Sequence, residues 1–240
     1  MTKTAKLMAE DLDVAMQRVK LRKGLQTMHK GRSNRKHELH VSDFTQSEKQ
    51  FCYRKLVIRW LRGDGREDGG MSWVEYDGKF REEKWRRLFE AAGMLREYQL
   101  ALKVGPLSGH PDFVVDFGKG NSIVELTGHD SKIDPILRNA REAVKKRQCL
   151  AYVIMYRHMV GKLYRGFVYV EDKGNNDFRI IPVDYDEEKA RLFMERVVRV
   201  TRATRALAKA TTTEQRASVI RAIPKCERPR CQTCYAKPRS

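Results

Sequence analysis

A chain of 240 residues with 41% hydrophobic content has enough apolar material for one sizeable core. No apolar run approaches the roughly 18 to 20 residues that span a bilayer, and the opening MTKTAKLMAEDLD lacks a signal peptide's apolar stretch, so a cytoplasmic protein without a membrane partner is expected. The 49 Lys and Arg against 31 Asp and Glu leave a net charge of +18, which suits a polyanion, because each phosphate neutralised releases condensed counterions.

In chain order, residues 1–40 read as a basic helix and arm, with KLRKGLQ and HKGRSNRKH interrupting a modest apolar pattern, and residues 41–240 read as one domain. Ser42 is placed to cap a short helix. In KQFCYRKLVIRWLR the apolar positions 51, 52, 56, 57, 60 and 61 mark one helical face that includes Cys52. RGDGREDGG is a turn-rich loop. GKFREEKWRRLFEAAGM predicts a helix with Phe80, Trp85, Leu88 and Phe89 inward, ended by Gly93 in a left-handed cap. Strands are expected over 98–104, 112–117 and 122–126, the last two joined by a GKGN turn. A long helix follows from Asp134 or Pro135 to Met155, then strands over 164–171 and 178–184 and a basic terminal helix from Glu187. This order predicts a mixed α/β or α+β domain around a central sheet.

Two constellations carry chemistry. Asp112 opens one strand and Glu125 lies near the end of its hairpin partner, so a register that sets them opposite brings two carboxylates to one sheet end. Hard divalent cations take such oxygen ligands, although a strand-end glutamate that simply reaches solvent is the alternative. Of five cysteines, Cys149 in the apolar LAYVIM stretch reads as core. Cys52 and the C-x4-C-x2-C run of Cys226, Cys231 and Cys234 read as thiolate metal ligands, with structural zinc and an iron-sulfur cluster both open.

SGHPDFVV followed by IVELTG resembles the G-x-x-D and E-x-K motifs of the PD-(D/E)XK nuclease superfamily, in its RecB-like branch with AddB and the CRISPR-associated exonucleases. Gln148 and Tyr152 are similar to the branch's Q-x-x-x-Y helix motif, and GKLYRGFVYVED to the strand after it. The resemblance spans residues 41–235 and implies a restriction-endonuclease-like central mixed sheet flanked by helices. It implies a metal-dependent DNA nuclease, exonuclease-like on single strands or duplex ends, in recombination or repair. A phage source and a recombination or replication partner protein fit the same picture. Magnesium or manganese would be held by Asp112, Glu125, Glu82 and the main-chain carbonyl of Leu126, with Glu83 the next choice for Glu82, while Gln148 and Tyr152 would meet the site edge and DNA. His110 would assist from outside the ligand set. The cysteine placement resembles the branch's iron-sulfur staple, which implies a [4Fe-4S] cluster on Cys52, Cys226, Cys231 and Cys234 ahead of structural zinc. A tyrosine replaces the proline after Cys52, and the final spacing departs from C-x2-C-x5-C.

Thr127 stands where the family carries a lysine that orients water and stabilises phosphate charge. Three readings remain open. A lysine from elsewhere enters the site, Lys132 or Lys145, the latter one turn before Gln148 on the same helical face. The metal alone suffices at a reduced rate, or the chain is a catalytically disabled DNA-binding accessory protein. A zinc-stabilised RNA-binding protein is also compatible, since nothing here separates RNA from DNA.

Overall fold

The computed structural model describes residues 39–47, 50–62, 73–129, 133–162, 165–172, 177–228 and 231–235. The chain divides into two compact units; of the first, only residues 73–81 are described, and the fold below is that of the second, residues 35–65 and 82–240. In chain order the elements are β1 (Leu39–His40), α1 (Val41–Phe44), α2 (Tyr53–Arg62), α3 (Trp73–Ala91), β2 (Leu95–Tyr98), β3 (Leu102–Val104), β4 (Leu107–Gly109), β5 (Phe113–Asp116) and β6 (Asn121–His129). They continue with α4 (Pro135–Met159), β7 (Gly166–Asp172), β8 (Phe178–Val183), α5 (Glu187–Lys209), α6 (Thr213–Ala222) and α7 (Gln232–Tyr235).

Five strands form a mixed sheet in the order β2-β5-β6-β7-β8, in which only the β6–β7 pair is parallel. Parallel neighbours need a crossover, and α4 supplies it between β6 and β7 while packing on both. Asp134 starts that helix by accepting the backbone N–H groups of Ile136 and Leu137, and Pro135 sits where a missing N–H costs nothing. Along α4 the residues Arg138, Glu142, Lys145, Cys149, Tyr152 and Tyr156 recur at steps of three and four, so they share one face. From Cys149 onward this stripe is buried against Ile123, Val168 and Val170. The opposite sheet face packs Val124, Leu126, Phe113 and Tyr169 against Trp85 and Phe89 of α3. Each such side chain buried contributes about 2 kcal/mol, so the two layers fix β6 from both sides.

Several expectations are corrected. The strand expected over 98–104 is broken at Gln99, whose φ of 49° is left-handed, so β2 joins the large sheet while β3 joins a separate three-stranded sheet β1-β4-β3. Phe80 and Leu88 are 70% and 51% exposed, because the inward stripe of α3 is the i, i+4 pair Trp85 and Phe89. His40, rather than Ser42, caps α1 by accepting the Ser42 N–H. Cys52 precedes α2 instead of lying on its face. Gly93 closes α3 at φ 68°, as expected of a left-handed cap. β6 runs on to His129, and α6 and α7 were not anticipated. The arm expected over 1–40 lies outside the described residues apart from Leu39 and His40, as does most of the 62–70 loop. Among the described residues no helix is long and apolar enough to cross a membrane.

α5 buries Ala190, Phe193, Val197, Val200, Thr204 and Leu207 at helical spacing. Its outer face exposes Arg199, Arg202, Arg205 and Lys209, a cationic stripe suited to phosphates.

Candidate active site

The β5–β6 register pairs Phe113 with Val124, which sets Asp112 opposite Glu125. The two are linked through their backbones. The Asp112 N–H donates to Glu125 Oε1 at 3.2 Å, and the Leu126 N–H donates to Asp112 Oδ2 at 2.7 Å. Odd-numbered positions of β6 face α4, so Glu125 points under that helix and is fully buried. A buried carboxylate needs a partner, and Lys145 of α4 provides one: its Nζ lies 3.1 Å from Glu125 Oε2.

The electrostatics follow from this crowding. Burial, and then the neighbouring Asp112 charge, push Glu125 up to about 8 against the pull of Lys145. Asp112 is raised by burial, opposed by Lys145 and the Leu126 amide. For Lys145 burial disfavours the charge, but Glu125 and Asp112 outweigh it and lift the ammonium above its usual range, so it stays protonated. Two acids and one fixed cation thus share a water-poor pocket, which a divalent ion could enter by displacing a proton.

Glu82 accepts from Gln99 Nε2 at 2.9 Å and from the Tyr98 hydroxyl at 3.5 Å. It is near enough for its charge to act on Lys145, yet among the described residues the only set of three or more ligand-type side chains with donor atoms within 4.8 Å is cysteine. Glu83 turns away to Arg86 and Arg87, which hold its carboxyl down to about 2. Gln148 donates to the Tyr152 hydroxyl at 3.4 Å, and Tyr152 is wholly buried in the core beneath the site. Gly109 makes that possible, since a Cβ there would meet the Tyr152 ring at 2.6 Å. The backbone N–H of His110 also reaches the Tyr152 hydroxyl. Thr127 pairs with Val170 two residues beyond Glu125, and Lys132 lies outside the described residues.

Sequence reasoning missed Gln99 and a second polar group one turn along α4. There buried His129 sits 3.5 Å from Glu142, which Arg179 also engages. The signal for Glu142 was its three-residue step from Lys145.

The four cysteines expected to act together do gather: Cys52, Cys226, Cys231 and Cys234 have all their sulfurs within 4.8 Å of one another, a set that could hold a metal. Cys52 precedes α2, where the Lys55 N–H reaches its sulfur at 3.4 Å. Burial raises Cys52 and lifts Cys234 to about 12. Cys231 falls to about 6 despite burial, because the Cys234 N–H and the Cys226 and Cys52 thiols approach it. Arg54 ties the same segments together independently, donating to the carbonyls of Ile223 at 2.7 Å and Arg221 at 3.0 Å. Cys149 is buried core, as expected.

No family model matches the sequence, and no curated protein is detectably similar to it. Among solved structures, the alkaline exonuclease LHK-Exo from Laribacter hongkongensis matches with a TM-score of 0.50 at 10% identity, over 77% of this chain and 91% of that one. The fold is shared with that exonuclease. It is the mixed α+β, restriction-endonuclease-like arrangement that the motifs implied. The LHK-Exo complex with dAMP matches at 0.44 and 12% identity, over 73% of this chain and 95% of that one. At such identities the likeness establishes architecture, and any chemistry has to be argued from the side chains.

Proposed function

We propose that the protein is a metal-dependent DNA nuclease of the RecB-like branch, exonuclease-like on single strands or duplex ends, serving recombination or repair. The observation that carries this is Lys145 at 3.1 Å from Glu125, with Asp112 alongside: the cation missing at Thr127 is supplied from α4. Asp112 and Glu125 would hold magnesium or manganese, with the Leu126 carbonyl at the same sheet end and Glu82 as the further ligand. The ion supplies charge neutralisation at the phosphate and a more acidic water. Lys145, kept protonated by its acidic neighbours, would offer its ammonium to the developing phosphate charge. The fold shared with LHK-Exo and the basic outer face of α5 support a nucleic-acid substrate.

A second reading, a catalytically disabled DNA-binding accessory protein, is favoured by one feature: Glu82 does not join the other two carboxylates in a ligand-sized group. Manganese-dependent degradation of end-labelled single- and double-stranded DNA separates the two. The nuclease reading expects the parent to cut and Asp112→Asn to bind without cutting. An inert parent that gains metal-dependent cutting on Thr127→Lys alone establishes the accessory reading instead.

A further inference from the structure

The resemblance implied a [4Fe-4S] cluster on the cysteine quartet, and the sulfur positions can test that. A single tetrahedral ion with metal–sulfur bonds of about 2.3 Å sets its four sulfurs about 3.8 Å apart, the edge of a tetrahedron of that radius. In this protein Cys52 Sγ lies 3.5 Å from Cys234 Sγ and 3.8 Å from Cys231 Sγ, and all four sulfurs fall within 4.8 Å of one another. In a four-iron cubane each thiolate rides on its own iron, pointing outward from the cluster centre. The sulfur–sulfur edge then equals the single-ion edge plus the whole iron–iron separation. Any separation above about 1 Å carries that edge past 4.8 Å, and two iron atoms cannot approach so closely. The quartet therefore fits one ion and does not fit a cubane.

We infer that Cys52, Cys226, Cys231 and Cys234 form a closed, four-thiolate site for a single zinc ion, in place of the cluster that the resemblance implied. The surroundings agree. Cys231 just before α7 and Cys234 within it, with two residues between them, present two sulfurs to one point, and the Cys234 N–H bonds the Cys231 carbonyl at 3.0 Å. Cys52, Cys231 and Cys234 are buried and pack as a cluster of their own with the half-buried Cys226 against them, and four thiolates fill all four positions of a tetrahedral ion. Soft, borderline zinc is the divalent ion such a donor set selects in a reducing compartment. The site is structural: it pins Cys226, Cys231 and Cys234 to the start of α2.

The inference stands apart from the nuclease reading, because metal is counted without any substrate. The full chain is expressed in medium supplied with both iron and zinc, purified without oxygen, and analysed for metal content by mass spectrometry. The result expected is one zinc per chain, less than about 0.1 iron, and a colourless solution. About four irons per chain with a brown colour overturns the inference, and so does protein that folds with neither metal. Cys231→Ser is expected to lose the zinc. Should that variant fail to fold, the parent exchanged with cobalt(II) reports instead: the intense visible bands of a tetrahedral cobalt–thiolate centre support the single-ion site, and their absence sinks it.

Discussion

The cysteine quartet and the Asp112–Glu125 pair are both clusters of ligand atoms at the ends of secondary structure, yet they are built differently. The quartet draws together sulfurs 182 positions apart, from Cys52 to Cys234, and gathers all four donors within 4.8 Å, with the Arg228 guanidinium at its side, 3.9 Å from Cys231 Sγ. The carboxylate pair comes from one hairpin, carries its own ammonium from Lys145, and has its third acid, Glu82, near enough to act on that ammonium but outside a ligand-sized group. A site that holds chain segments together needs its metal to be complete. A site that does chemistry is kept folded by a counter-charge, so that its metal can come and go. Losing metal should therefore loosen the first and merely silence the second.

The hardest blow to that contrast is aimed at the carboxylates. Glu125→Gln and Asp112→Asn should each lower manganese-dependent cleavage by about 1000-fold or more, with DNA affinity in a filter-binding or anisotropy assay nearly unchanged. Above pH 8 the melting temperature of Glu125→Gln should equal or exceed the parent's, because Glu125 titrates higher folded than unfolded. Its contribution to stability is complete below pH 4.5 and is lost as the pH rises through about 8. Variants that unfold instead would make the pair structural.

Lys145→Ala should cost about 100-fold in turnover, the loss typical of one preorganised charge donor. Thr127→Lys placed on that background should recover part of it, since both positions address Glu125 from the same sheet face. Steady-state kinetics in which Lys145→Ala raises KM alone would reassign the lysine to substrate binding.

A smaller effect comes from acidity. Metal must displace the proton that Glu125 holds up to about 8, so at fixed manganese the rate should fall by about tenfold for each pH unit below that value. Glu125→Asp should move the break point, whereas a profile flat from pH 6 to 9 would show that the acid is already ionised in the working enzyme.

The smallest sharpens the other side. Arg54→Ala removes the bonds to Ile223 and Arg221 and should cost about 1 to 2 kcal/mol of stability by chemical denaturation. Cleavage should be unaltered, and a parallel drop in rate would mean that the C-terminal segment reaches the active site after all.

The parts legible in the sequence were those with strong local rules. Asp134 before Pro135 announced α4, the apolar runs on either side of the GKGN turn announced a strand pair, and Lys145 was nameable because a helix repeats every three to four residues. What escaped depended on contacts far apart in the chain. Tyr152 could look like a surface contact until Gly109, 43 positions earlier, was seen to leave room for its ring. The split of 98–104 into two sheets rests on a single left-handed residue, Gln99, that no apolar pattern marks. The choice between zinc and a cluster is a matter of ångströms between sulfurs, which spacing along the chain does not encode.

The stripe from Arg138 to Tyr156 along α4 also restricts how the protein can change. Lys145 and the core residues Cys149 and Tyr152 are read off one helical frame, so inserting a single residue between 145 and 149 would swing the lysine by about 100° relative to the core. Its neighbours are no substitute: Val144 and Lys146 both face outward, so Lys146, though the same amino acid, cannot stand in for the one beside it. Length variation should be tolerated in the loops on either side of this helix and rejected within it, which makes α4 the segment where an insertion scan would show its sharpest boundary.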